Sequence, residues 1–418
     1  MSILVQVNRV RDSGLFHAGD EVSGTVEMKG PLPFPYYDDS KVNLTFTGSS
    51  ETCHVPKGGA LFKDNAIFFQ YEKVFLEGVL DFKSGASQTW QFSFQLPEQT
   101  EPEGAQIKIN RKKRHEPTWV TTPHPIPQST ALSGPRPYPW QGLVSYTLHA
   151  KVSGKWGWRE DRRIINVVPK PRVTPSDAII QRKEFTHSSS RLLAAEAENK
   201  RSMNKWFRDK FSSSTPTVKF EIKIMVLQTL TPDKIIPIVL RLNYDIENST
   251  LDAASLPELR LLDMRFEIWA KTELWGDDHF STATSRELAG RFAPKDPVYR
   301  RELKYDSHFL VNNQTIEVNN YKGDDGTMYK INFDRFLVSP FRTYNLARSY
   351  EARVVFSFEC GGKKMKAKFE WPQDIAFAEG HLPPTQLDSN SDDSANAKMV
   401  GKMAFHGIVT IVTTALGV

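Results

Sequence analysis

A period of two in hydrophobicity, punctuated by glycine turns, runs through most of this 418-residue chain. In Gly14–Met28, GLFHAGDEVSGTVEM, Val22, Gly24, Val26 and Met28 alternate with Glu21, Ser23, Thr25 and Glu27. That spacing makes one apolar and one polar face of a strand. Upstream, Ile3, Val5 and Val7 alternate in the same way. Gly19-Asp20 between them is a turn pair, because glycine accepts positive φ and aspartate bonds nearby backbone amides. The two runs predict a hairpin. Lys41–Gly48 alternates Val42, Leu44 and Phe46, and Thr89–Leu96 alternates Trp90, Phe92, Phe94 and Leu96 before stopping at Pro97. Far downstream, Val218, Phe220, Ile222 and Ile224 alternate, Ile235–Leu242 is apolar, and Leu261–Leu274 alternates over its later part. Near the end, Val354, Phe356 and Phe358 precede Gly361-Gly362, and Met365, Ala367 and Phe369 follow it, which predicts a second hairpin. Short alternating strands with turn signals between them predict an all-β chain of antiparallel sandwiches, and the length suits two of them.

Changes of composition divide the chain. Residues 1–170 read as one sandwich, closed by Pro169-Lys170-Pro171. Inside it, Glu98–Gln141 holds prolines at 102, 117, 123, 125, 127, 135, 137 and 139. Prolines this dense favour extended loop over regular pairing, so the stretch reads as an insertion. Residues 171–215 read as a linker. Within it Ser188–Phe211 has a helical spacing, with Leu192, Ala195, Met203, Trp206 or Phe207, and Lys210 falling at multiples near three and four. Residues 216–376 read as the second sandwich. Residues 377–418 read as a disordered acidic tail with an apolar end.

Three segments of the first region, in order, carry a family resemblance. Phe16, Gly19, Asp20, Val22, Gly24 and Val26 fill an F-x-x-G-D-x-V-x-G-x-V pattern. Phe92–Pro97 reads F-S-F-Q-L-P. Gly142, Val144, Tyr146, Leu148 and Ala150 fill G-x-V-x-Y-x-L-x-A. Together they resemble the arrestin N-terminal domain. In the second region, Asn345, Arg348, Tyr350, Cys360 and Gly362-Lys363-Lys364 resemble the close of the C-terminal domain in fungal arrestin-related proteins. Ala352 stands where that pattern has leucine. The resemblance covers roughly residues 1–170 and 216–372. It implies two tandem arrestin-like β-sandwiches of immunoglobulin-like architecture, joined by the partly helical linker.

Chemistry is sparse along the chain. It has no G-x-S-x-G, no phosphate loop, no H-E-x-x-H and no C-x-x-C, and its ten histidines are scattered. No catalytic residue, cofactor or metal site is expected. The net charge of +5, from 54 basic and 49 acidic residues, does not call for nucleic acid. Two cysteines, Cys53 and Cys360, are few for a secreted β-rich protein. No signal peptide and no apolar stretch long enough for a spanning helix is readable. A cytoplasmic location is therefore expected.

Three stretches are candidate sites. Lys108, Arg111, Lys112, Lys113 and Arg114 cluster in the proline-rich insertion. Such a cluster suits anionic lipid or phosphate, although most charge runs are simply solvated. In the linker, Lys200, Arg201 and Lys205 surround Trp206 and Phe207, which suits a membrane surface or packing between the sandwiches. Pro135, Pro137 and Tyr138 form a P-x-P-Y segment that a proline-binding groove can accept. The P-P-x-Y that family adaptors carry for WW-domain ubiquitin ligases is absent. The resemblance implies a trafficking adaptor that binds cytoplasmic tails of membrane transporters or receptors and couples them to ubiquitylation and endocytosis. Its partners would be those tails, a WW-domain ligase and an anionic membrane surface at the plasma membrane or endosomes. The alternatives are an arrestin-fold scaffold in a vesicle coat or signalling assembly without ligase recruitment, and a carbohydrate- or lipid-binding sandwich.

Overall fold

The computed structural model describes residues 2–10, 14–30, 36–55, 61–81, 87–101, 122–134, 140–154, 157–170, 178–189, 192, 215–230, 237–251, 256–257, 259–276, 279–292, 302–303, 314–317, 321–322, 328–329 and 338–376. Among them the chain is all-β, as the period of two predicts.

The first region holds β1 (Ser2–Val7), β2 (Glu21–Lys29), β3 (Tyr36–His54), β4 (Phe62–Asp81), β5 (Ser87–Gln95), β6 (Thr130–Gly134), β7 (Trp140–Gly154) and β8 (Gly157–Ile164). One sheet runs β1-β2-β5. The other runs β4-β3-β7-β6, with β8 also on β7. The predicted first hairpin forms, with Val5 opposite Val26 and Ile3 opposite Met28. Gly19 turns the chain at φ 84, and the Asp20 carboxylate accepts a 2.7 Å bond from the His17 amide. Gly24 lies mid-strand because a Cβ there would stand 2.0 Å from the Gln6 carbonyl oxygen. Val22, Val26, Leu44, Phe46 and Tyr146 are buried between the sheets, and Phe46 packs on Phe94 at 5.7 Å. Each such side chain stabilises the sandwich by about 1.5–3 kcal/mol. The Tyr146 hydroxyl donates to the Pro127 carbonyl at 2.6 Å, so the proline-rich stretch is tied down where it passes the core.

The second region holds β9 (Ala178–Ser188), β10 (Thr217–Leu227), β11 (Thr229–Leu230), β12 (Pro237–Asp245), β13 (Leu259–Gly276), β14 (His279–Phe292), β15 (Glu302–Leu303), β16 (Gln314–Glu317), β17 (Tyr321–Lys322), β18 (Met328–Tyr329), β19 (Phe341–Arg342), β20 (Leu346–Cys360) and β21 (Lys363–Ile375). One sheet runs β16-β12-β10-β9. The facing sheet runs β11-β21-β20-β13-β14, with β15 on β13 and β19 on β20, and β17 and β18 pair separately. Phe220 and Phe185 meet Phe358 edge-on across the gap. Gly361 and Gly362 make the β20–β21 turn at φ 52 and 77, as the glycine pair predicts.

Two expectations about connections change. Residues 178–188, read as linker, are β9, a full partner of β10 from Ala178–Leu227 to Ser188–Thr217. Its inward residues Ile179 and Phe185 pack on the second core. Within the proline-rich insertion, Thr130–Gly134 is β6, paired with the start of β7. No proline interrupts it, so its amides remain free to bond. The predicted linker helix lies outside the described residues, apart from Ser188 in β9 and the short turn at Leu192.

The two cores share strands. Met264 to Ala270 of β13 and Tyr350 to Cys360 of β20 line the second core, whereas Leu274 and Leu346, at the other ends of the same strands, are buried in the first.

Candidate functional site

Where the sandwiches meet, buried polar contacts lie beside the apolar side chains of Leu274 and Leu346. Asn345 donates from Nδ2 to the Ser50 carbonyl at 3.1 Å, and the Ser50 hydroxyl bonds back to Asn345 Oδ1. The Thr52 hydroxyl donates to the Trp275 carbonyl, and the Tyr344 hydroxyl bonds Thr100 at 2.8 Å. Beside this seam the Arg348 guanidinium, 4% exposed, ion-pairs with Glu287 at 2.8 Å. It also donates to Thr272 at 2.7 Å and to the Tyr350 hydroxyl at 3.2 Å. Burial alone would pull this guanidinium down, but Tyr350 and Glu287 outweigh it and hold its pKa above the ordinary value. Asn345, Arg348 and Tyr350 are thus structural members of the junction and of the sheet that reaches it.

A cleft of about 720 Å³ opens beside the junction. Glu98, Pro127 and Lys170 line it from the first region, and Arg342, Phe341 and Asp374 from the second. Lys170 pairs with Glu98 at 2.8 Å. Both charge signs and several prolines line the walls, so the cleft offers shape more than charge.

A row of like charge lies elsewhere, on β21. Lys364, Lys366 and Lys368 are exposed and alternate with Met365, Ala367 and Phe369, which face the core side. Residues two apart on a strand lie about 6.5–7 Å apart on one face. The three ammonium groups therefore form a ladder along the strand, with Lys363 at its head. Among the described residues, β11 covers β21 only at Asp374 and Ile375, so there the ladder runs along an edge strand. Across the gap stands β9, the edge of the opposite sheet. Gln181 of β9 donates to the Glu370 carbonyl at 2.7 Å and bridges the two edges. Arg182 and Lys183, also exposed, add positive charge on that side. Glu370 closes the ladder, pairing with Lys368 at 2.5 Å, and that bond holds its carboxyl below the ordinary range. Edge lysines also discourage pairing between copies. The same charges would attract an acidic extended segment.

The sequence-predicted sites fall elsewhere. Lys108–Arg114, Lys200–Phe207 and Pro135–Tyr138 all lie outside the described residues; the last belongs to the connection between β6 and β7. The lysine ladder was missed as a site because the same alternation reads simply as the outer face of a hairpin arm. Among the described residues, no cluster of histidine, cysteine, aspartate and glutamate is arranged to hold a metal. Nor does any helix among them have the length and apolarity to cross a membrane. No protein-family model matches the chain, and no curated protein matches it.

Proposed function

We propose that this chain is an arrestin-related trafficking adaptor that binds acidic, extended cytoplasmic segments of membrane transporters or receptors and couples them to ubiquitylation and endocytosis. It would work in the cytoplasm and be recruited peripherally to the plasma membrane or endosomes. The observation that carries the reading is the lysine ladder on the open edge of β21. An edge strand supplies main-chain donors and acceptors to a partner strand, and alternate side chains supply selectivity. Acidic residues at every second position of such a strand would match Lys364, Lys366 and Lys368. The all-β tandem architecture and the motif residues built into the junction lend further support.

The test is fluorescence anisotropy with a labelled peptide carrying glutamate at alternate positions. Lys364, Lys366 and Lys368 changed together to glutamate should weaken binding about tenfold or more, equivalent to about 1.4 kcal/mol. Salt should weaken it too, because these charges are exposed. Equal binding by the variant would sink the reading.

Ligase coupling has its own arm. A pull-down with WW-domain proteins compares the intact chain with Tyr138→Ala. The lack of P-P-x-Y favours a second reading, a scaffold of the same fold without direct ligase contact, and binding by neither form would select it.

A further inference from the structure

His187 is the penultimate residue of β9 and is 2% exposed. Neither of its ring nitrogens has a hydrogen-bond partner among the described residues. Buried polar groups are nearly always bonded, so an unbonded imidazole is unusual. The ring lies beneath the β20–β21 turn: a Cβ placed on Gly361 would stand 3.8 Å from His187 Nε2 and 2.6 Å from the Leu192 side chain. The end of β9, the turn at Leu192 and the β20–β21 hairpin therefore converge on this imidazole. Opposite it on β10 is Val218, buried and apolar. Among the described residues, the charge that acts on the ring is that of Lys363, from β21. The neighbouring thiol of Cys360, at the end of β20, is pushed up to about 12 by burial and stays neutral. Glu359 and Lys364, paired across the same hairpin, lie on the opposite face from Cys360 and offer the ring no counter-charge.

We propose that His187 is an acid-released latch. Neutral, it closes the end of β9 and Leu192 under the β20–β21 turn; protonated, it is expelled and that corner of the second sandwich opens. A charged imidazole here would lose its water and face Lys363 with no acceptor among the described residues. The direction of the pH effect follows from linkage. Burial first, then Lys363, lowers the folded-state pKa below the ordinary 6.5. The unfolded or opened chain then binds the proton first as pH falls. The latch is at full strength above about pH 6.5, the ordinary imidazole value, and weakens below it until the lower, folded-state value is passed. The device rests on burial first and does not require that the lysine ladder bind anything.

Native-state hydrogen exchange of the full chain at about pH 7.5 and about pH 5, either side of the ordinary value, tests it after correction for intrinsic rates. The amides at the end of β9 and at Leu192 should lose protection in acid relative to the middle of β10. In His187→Leu, which keeps an apolar side chain and cannot titrate, protection there should be the same at both pH values. An acid loss in the wild type that survives in His187→Leu overturns the latch, as does a wild type with no acid loss. Should His187→Leu fail to fold, the ring's own titration, followed by magnetic resonance in the wild type, decides: a midpoint at or above the ordinary value overturns the proposal, and one below it supports it. Lys363→Gln should raise that midpoint.

Discussion

In the first sandwich, the three-stranded sheet has both edges stitched to the facing sheet by side chains. Asp161 of β8 accepts from the Val5 amide at 2.8 Å, and Arg163 of β8 donates to the Val5 carbonyl at 3.0 Å, so both backbone groups of one edge residue are taken. On the other edge, Lys73 of β4 donates to the Gln91 carbonyl of β5 at 3.2 Å, and Phe75 stacks on Trp90 beside it. Among the described residues of the second sandwich, Gln181 bridges the edges formed by β9 and β21, Gln373 at the far end of β21 donates to the Gln228 carbonyl, and a row of charges lies between. The three-stranded sheet of the first sandwich has edge bonds filled at Val5 and Gln91. Along the β21 edge of the second, no described strand other than β20 lies beside Lys363–Gln373, and lysines stand there instead. Among the described residues, the β21 edge is the one of these that has no strand or side-chain stitch along its lysines, and the proposed function rests there.

The largest expected effect tests whether the interiors matter more than these edges. Arg348→Ala removes one partner of a buried pair and leaves Glu287, Thr272 and Tyr350 short of a donor. Breaking such a pair costs about 3–5 kcal/mol, and urea denaturation reads it. A loss no larger than that of an edge substitution would mean that the sheet reaching the junction is held by its apolar residues alone.

Next comes Asp161→Ala. It frees the Val5 amide on the stitched edge and should cost about 1–2 kcal/mol, the range for losing one partner of a buried or half-buried bond. The Val5 amide should exchange faster, and the variant should associate with itself at high concentration in sedimentation, because an opened edge is a pairing template. Unchanged exchange at Val5 would remove the contrast between the two sandwiches.

The smallest effect is Gln181→Ala. The bridge is exposed and water can replace it, so the loss should stay below about 1 kcal/mol. A cost equal to that of Asp161→Ala would show that the second sandwich is stitched as firmly as the first.

Local features of this architecture were legible in the sequence. Val22, Val26 and Met28 are all fully buried, as their alternation requires, and Gly361-Gly362 turns where two glycines must. β9 was hidden because the charged run Gln181–Glu184 interrupts its apolar alternation, and because proline-rich and serine-rich flanks colour the whole stretch as linker. The junction was hidden for a different reason. Asn345 and Ser50 are 295 residues apart, and no local periodicity reports a bond of that span. Likewise the lysines of β21 are visible as letters, but that they lie on an edge depends on which strands fail to pair beside them.

The sharing of β13 and β20 between the cores bears on the order of synthesis. The first sandwich buries Leu274, Tyr344 and Leu346 in its own core, although its own strands end with β8 at Ile164. A ribosome adding about 5–20 residues per second needs about 10–35 seconds to go from Val168 to Leu346. Through that interval the leading half of the protein waits with part of its interior facing water, and it becomes complete only when the last hairpin of the trailing half arrives.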